Sequence, residues 1–373
     1  MDNIYFDSVV VGGGVIGLAS ALELQLSGQK VLLVEKNNFI ADETSSRNSG
    51  VIHSGIYYPK DSLKKFFCIK GNKLLYDFCE KHEVLHKKTG KLIVANQNEE
   101  DKLVSIYENG LKNGLKSDIE LIDGNQTRNL EQNLSDKISL AIHVKSTGIV
   151  DQPAFCQKLQ FLFEKNGGQL TKNTEFYNYT NENSTHISFL NTLNERFKVQ
   201  SKSLILCSGL KSFETGCMIK QIRESSNFYK LKFVKGHYFK HNSKRPLFNR
   251  LIYPIPNNLG LGIHYTLDVN GYGKFGPDTV IVDKIDYRFN CEDLKNKFID
   301  SIRGYSSKIE SNELSEDYTG IRPRLAIDEK FIDFSILDSQ DHGINNLLFL
   351  QGFESPGLTS SLAISEYIAK KLI

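Results

Sequence analysis

The chain has no run approaching the roughly 18 apolar residues that a bilayer-spanning helix needs. It has no C-x-x-C pair, which speaks against a zinc ribbon or a dithiol redox motif. It has no excess of charge of one sign: 46 basic residues stand against 44 acidic ones, and the net charge of +2 gives a nucleic-acid partner no support. It has no internal repeat and no low-complexity linker. What is present is ordinary for a globular protein, with 40% hydrophobic and 24% charged residues in a chain of 373. That composition excludes a disordered tail, a collagen and a coiled coil. At about 150 residues per domain, the length calls for two or three domains.

The cysteines Cys68, Cys79, Cys156, Cys207, Cys217 and Cys291 read as reduced thiols in a reducing compartment. The first strand is expected at about Tyr5, which leaves no room for a signal peptide, so the expectation is a cytoplasmic chain. No metal site is expected.

The segment over 5–11 is β-prone and ends in three valines. Gly12-Gly13-Gly14 follows, and Val15, Leu18, Ala19, Leu22 and Leu26 then recur at helical spacing up to Gly28. A second strand over 31–34 runs into Glu35, completing a strand-turn-helix-strand unit. Residues 44–55 are polar and glycine-rich, hence a loop. Helices are expected over 62–82, 101–113, 151–166, 290–305 and 358–372. In the third of these, Asp151 would be the cap, Pro153 would lie in the first turn, and Phe155, Leu159, Leu162 and Phe163 would form the buried stripe. Strands are expected over 91–95, 170–176, 186–190, 197–207 and 347–350, with a mostly β pattern over 231–282. Between Lys60 and Lys91 nine lysines face four acids. That is either a solvated basic face or a surface that attracts anionic substrate or lipid headgroups in peripheral contact with a membrane.

Gly12-Gly13-Gly14-Val15-Ile16-Gly17 fits G-x-G-x-x-G in its proper setting. Gly12 permits a tight turn, Gly14 lets backbone approach a pyrophosphate, and Gly17 lets the helix pack on the strand. Glu35, followed by Lys36, is placed to accept hydrogen bonds from an adenosine ribose. The run Thr44-Ser45-Ser46-Arg47-Asn48-Ser49-Gly50-Val51-Ile52-His53 is rich in small hydroxyl residues that can bond phosphates and let backbone approach a flavin. Gly209 follows another strand. Near the end, Gln351-Gly352-Phe353-Glu354-Ser355-Pro356-Gly357-Leu358-Thr359 reads as strand, turn and helix start, whose N-terminus can stabilise negative charge.

These blocks resemble the FAD-dependent oxidoreductases of the D-amino-acid oxidase and glycine oxidase superfamily, and more closely the L-2-hydroxyglutarate dehydrogenase/oxidase group. The likeness is carried by 9–35, by Arg47 to Tyr58 with Thr89-Gly90-Lys91-Leu92, by Gly262-Ile263-His264-Tyr265-Thr266 with Phe275-Gly276-Pro277, and by Gly320-Ile321-Arg322-Pro323 with 354–364. Lys235-Gly236-His237 departs from the acidic residue expected after that glycine. The resemblance implies an α/β protein: a Rossmann-type FAD domain over 1–88, 146–226 and 330–373, interleaved with an α+β substrate domain over 89–145 and 227–329 built on an antiparallel sheet. It implies FAD as cofactor and a small 2-hydroxy acid as substrate, oxidised to the 2-oxo acid. The electrons would pass on to oxygen, a quinone or a carrier protein.

By the same likeness Arg322 holds the substrate carboxylate, for which a guanidinium fork is suited. His53 or His264 is the general base, and His53 is alternatively a covalent flavin anchor. Tyr57, Tyr238 and Tyr253 can supply phenol hydrogen bonds, and Lys235, His237 and Arg250 can face a second carboxylate. An amino-acid or amine oxidase, a glycerol-3-phosphate oxidase and a non-catalytic flavin-binding subunit remain alternatives.

Overall fold

The structure, a computed structural model, describes residues 4–243, 245–256, 262–289, 293–306, 308–329 and 331–373. The chain forms two compact units that alternate along it. One gathers Met1–Ser46, Gln152–Phe233 and Arg322–Ile373; the other gathers Arg47–Asp151 and Val234–Ile321.

The first unit is built around the strand Ile4–Val11. It pairs in parallel with Val31–Val34 on one side and with Arg196–Leu206 on the other, so that Val11 faces both Val34 and Leu206. Gln169–Thr171 extends the sheet beyond Val31–Val34, and Leu347–Gln351 extends it beyond Arg196–Leu206, again in parallel. Valines and leucines fill these strands because a parallel sheet is covered on both faces; every residue of Val31–Val34 is buried. The helix Val15–Leu26 packs against the helices Gly357–Leu372 and Gln152–Lys165. Leu162 on the last of these is only half-buried, while Phe155, Cys156, Leu159 and Phe163 form its buried face.

The second unit holds a sheet of nine strands. One side of it runs Tyr265–Leu267, Leu251–Tyr253, Lys91–Asn96 and Ile138–Val144 out to the edge strand Ile119–Asp123. Most pairs are antiparallel, whereas Leu251–Tyr253 runs parallel to Lys91–Asn96. Leu92, Ile93, Ile142, Phe239, Phe275 and Phe298 lie in its core. The helix Leu63–His82 is capped by Ser62, whose Oγ accepts from the Lys65 N–H at 3.1 Å, and it ends on Glu83 at φ 58°.

The mixed α/β class is as expected, and the boundaries differ instructively. Residues 47–88 lie in the second unit rather than with the dinucleotide fold. Asn109 Nδ2 binds the carbonyls of Ile56 and Tyr58 at 2.7 and 3.0 Å, and Asn113 Nδ2 binds those of Gly55 and Tyr58 at 3.3 and 2.9 Å, which ties the segment to its own unit. The strands over 119–150 have no counterpart in the sequence pattern. Neither has Leu314–Leu325, which carries Gly320 and Pro323; pairing with neighbours overrides low local propensity there. The expected helix start at Asn290, with Cys291, lies outside the described residues; the helix runs Leu294–Arg303.

Replacing Asn113 by Ala leaves two backbone carbonyls of the buried turn without this donor. It should cost about 1–3 kcal/mol in urea unfolding, and an unchanged midpoint would show that the turn is held by other means.

Candidate active site

In the first unit a cavity of about 260 Å³ opens where strand, glycine turn and helix meet, lined by Gly12, Gly14, Glu35, Lys36, Ser45 and Gly209 among others. Gly12 sits at φ +108°, and a Cβ there would lie 2.5 Å from the carbonyl oxygen of Cys207. A Cβ on Gly17 would run into the Gly12 carbonyl, so only glycine lets the helix come this close. The N-cap of Val15–Leu26 is Gly14, which offers no side-chain acceptor. Ser45 supplies one instead, its Oγ accepting from the Val15 N–H at 3.0 Å. Ile16 follows in the first turn, at the positive end of the helix dipole.

Glu35 ends the second strand and is buried. Its two oxygens accept from the N–H groups of Gly13 and Asn37, both at 2.7 Å. Burial raises its pKa, and the two backbone donors oppose that rise. A carboxylate has more lone pairs than two N–H groups use, so Glu35 can still accept from ribose hydroxyls. Lys36 pairs with Glu43 at 2.8 Å. A helix N-terminus for phosphate, an acid for ribose and a cradle that a side chain would fill together fit an adenine dinucleotide.

The predicted loop over 44–55 is divided. Thr44, Ser45 and Ser46 fold with the first unit, the first two lining the cavity, and 47–55 fold with the second. Gly352, Ser355, Pro356, Gly357, Leu358 and Thr359 form the turn into the helix Gly357–Leu372 of the first unit, as expected, and none of them lines that cavity.

The second unit brings four of the predicted residues, together with Lys91, into one polar cluster. His53 follows the strand Val51–Ile52, and its carbonyl accepts from Asn72 Nδ2 at 2.9 Å. Its imidazole is pushed down to about 3, first by burial, then by the charge of Lys91 and by His264. His264 is buried and stacks on Tyr253, with ring centroids 4.0 Å apart. Its Nδ1 lies 3.0 Å from the Gly262 carbonyl. A carbonyl only accepts, so Nδ1 carries a proton, and in the neutral ring the lone pair falls to Nε2. Lys91 Nζ lies 4.7 Å from the centre of the Tyr57 ring and 4.8 Å from that of Tyr253.

Tyr238 shares a hydrogen bond with Ser49 (3.1 Å) and stacks on Tyr318, whose hydroxyl donates to the Asn48 carbonyl at 2.7 Å. The sheet thus steadies the backbone around Asn48, Ser49 and Gly50.

Arg322 is carried by the strand Leu314–Leu325, in the segment of it that belongs to the first unit. The three residues proposed for a second carboxylate are engaged within the second unit. Arg250 pairs with the buried Glu131 at 3.1 Å, His237 Nδ1 lies 2.9 Å from Asp278, and Lys235 donates to the Arg288 carbonyl. The sequence pattern missed Lys91, which it placed on a basic face. The signal was there: Lys91 opens a strand whose next four residues are all apolar, the mark of a segment covered on both sides.

Among known proteins, the family described as FAD dependent oxidoreductase matches residues 7–371. The mitochondrial L-2-hydroxyglutarate dehydrogenase of Arabidopsis thaliana is 35% identical over 406 residues, covering 98% of this chain and 83% of the relative. An L-2-hydroxyglutarate dehydrogenase of Indibacter alkaliphilus is 31% identical over 401 residues, covering 96% of each. The L-alpha-glycerophosphate oxidase of Mycoplasma pneumoniae, solved with FAD bound, superposes with a TM-score of 0.88 at 26% identity, covering 100% of this chain and 95% of that one. Glycine oxidase of Geobacillus kaustophilus shares the fold, with a TM-score of 0.83 at 17% identity, over 99% and 95%.

Gly14→Val should leave the purified protein without the yellow absorbance of bound flavin, because the added side chain enters the phosphate approach and meets Ser45 Oγ, only 3.2 Å from its Cβ. Retention of stoichiometric FAD would show that the pyrophosphate does not pass this turn.

Proposed function

The chain belongs to the FAD dependent oxidoreductase family, and from that premise we propose that it oxidises an L-2-hydroxy acid of the 2-hydroxyglutarate type to the 2-oxo acid. The observation that carries this reading is the near full-length match to enzymes named for that substrate, joined to two imidazoles held in one buried cluster. FAD, when bound, supplies the two-electron acceptor for the hydride that leaves C2.

The residues of this chain have three tasks. The first is holding the cofactor, for which Gly12, Gly14, Glu35, Thr44, Ser45 and Gly209 are at hand in the cavity. The second is holding the acid. Arg322 is assigned to the C1 carboxylate, since its planar fork matches two oxygens at once. Tyr57, Tyr238 and Tyr253 are assigned to the substrate-binding surface of the second unit. The third is taking the hydroxyl proton. An alcohol holds that proton far too tightly to lose it first; as hydride departs, the oxygen becomes that of a protonated carbonyl and releases it readily. A weak base suffices at that moment, provided it is already unprotonated. His53 meets the requirement, because burial and the neighbouring Lys91 charge keep its ring neutral. His264, with its lone pair on Nε2, is the second candidate.

The reduced flavoprotein must pass its electrons on, and the relatives' naming as dehydrogenases favours a quinone or carrier protein over oxygen. No helix among the described residues is long and apolar enough to cross a membrane. The five described cysteines are free thiols, in keeping with a reducing, cytoplasmic compartment.

The deciding experiment is an anaerobic screen in which acids are tested for bleaching of the flavin absorbance. L-2-hydroxyglutarate should bleach it, whereas bleaching only by amino acids or by glycerol phosphate would move the protein to one of those chemistries. His53→Ala should lower kcat by about 10²–10⁴-fold if His53 is the base. His53→Gln, which can hydrogen-bond but not take the proton, should be no better. The sign of the pH effect follows from the depressed imidazole. Wild-type kcat/KM should hold as pH falls through 6.5 and decline only toward the value of about 3. A limb near 6.5 that disappears in His264→Ala would transfer the role to His264. Arg322→Lys should raise KM about tenfold at unchanged FAD content, and a normal KM would remove the carboxylate assignment.

A further inference from the structure

Lys91 is 1% exposed, and its ammonium lies over the faces of two tyrosines. Other cations of the second unit are answered by polar groups: Arg250 by Glu131, Arg288 by Asp286, Lys145 by Glu120, Lys235 by the Arg288 carbonyl and Lys274 by the Tyr318 hydroxyl. Among the described residues no carboxylate lies within ion-pair distance of the Lys91 ammonium, and Asp118 acts on it only from farther off. The Tyr57 hydroxyl beside it is also buried without a hydrogen bond among the described residues. A buried cation lacking a counter-charge is costly. Two ring faces offset only part of that cost. The cluster therefore holds a buried ammonium without a contact counter-ion, next to both candidate bases.

We propose that Lys91 is the specificity-determining residue for a second carboxylate, its ammonium between Tyr57 and Tyr253 supplying the positive charge that selects a dicarboxylate 2-hydroxy acid over a monocarboxylate one. This rests on the 2-hydroxy-acid reading above and deepens it. The three cations that the sequence offered for this task, Lys235, His237 and Arg250, are already engaged. In a low-dielectric interior, opposite charges attract across several ångströms and are little screened by salt. No change in the proton or electron balance of the reaction is required, since the second carboxylate is bound and released unchanged.

The groups facing Lys91 sharpen the test. Cys68, on Leu63–His82, is held protonated by burial, as are the phenols of Tyr57 and Tyr253. His53 is neutral, with His264 beyond it, and burial brings the Lys91 value down to about 7 against the smaller opposing influence of Cys68 and Asp118. The cation is thus present below that value and lost above it. Preference for the diacid should fall as pH rises through about 7.

The experiment uses the FAD-loaded full chain, with L-2-hydroxyglutarate and L-2-hydroxybutyrate as substrates and glutarate and butyrate as non-reacting ligands read by perturbation of the flavin spectrum. In Lys91→Met, KM for the diacid should rise about tenfold more than KM for the monoacid. The affinity for glutarate should fall in step, and the pH dependence of the preference should vanish. Lys91→Gln should behave in the same way, and Lys91→Arg should retain the preference. Lys91→Met should melt at or above the wild-type temperature, because an uncompensated buried charge has been removed; a merely structural lysine would melt lower. Equal losses for the two acids and the two ligands would overturn the proposal while leaving the 2-hydroxy-acid reading intact. Failure of every 2-hydroxy acid to bleach the wild type would instead overturn that reading, and the glutarate-butyrate comparison would still decide whether Lys91 selects a second carboxylate.

Discussion

The close approach of Gly17 to the carbonyl of Gly12 is the contact on which the first unit depends. It exists only because Gly17 has no side chain, and it brings the first helix down onto the end of the first strand. With the helix there, its N-terminus lies in the cradle of the cavity, and Ser45 can reach its first N–H. The second strand ends beside the same turn, so that Glu35 is held by Gly13 and Asn37 with acceptor capacity left over. One packing decision thus brings a helix N-terminus, a buried acid and a side-chain-free turn together, between parallel strands on either side.

A different constraint rules the second unit, where polar groups are placed in a dry interior without being neutralised. His53, His264, Lys91, Tyr57 and Tyr253 form one cluster, and burial is the first cause of the shift at each of the four whose titration is displaced. The effect is opposite on acid and base. Phenols keep their protons, while the imidazole and the lysine give theirs up more easily. Such a cluster is a poor way to stabilise a fold, and groups displaced in this way are commoner at functional sites. The supporting contacts are of the kind that fix backbone, with amide side chains of Asn72, Asn109 and Asn113 gripping carbonyls of the segment over 53–58.

Legibility followed the range of the interactions involved. The dinucleotide turn was readable because its requirements are local: three glycines, a helix stripe and an acid within one strand-turn-helix-strand unit. The helix expected over 62–82 is present, and the structure begins it one residue later. The strands over 119–150 and the strand Leu314–Leu325 were not. In Leu314–Leu325, Gly320 and Pro323 have little preference for an extended state, and pairing with neighbours supplies the reason to adopt it.

The sequence by itself determined the glycine turn with its strand-helix-strand setting, the α/β class and the family resemblance, since each rests on residue types at short, fixed spacings. Only the tertiary structure decided what the charged residues do. Lys91 and Lys64 look like their seven neighbouring lysines in the sequence and are buried in the fold, while Arg250, His237 and Lys235 look available and are engaged. The reason is physical. Whether a charge is solvated, paired or stranded depends on what surrounds it in three dimensions, and no spacing rule along a chain carries that information.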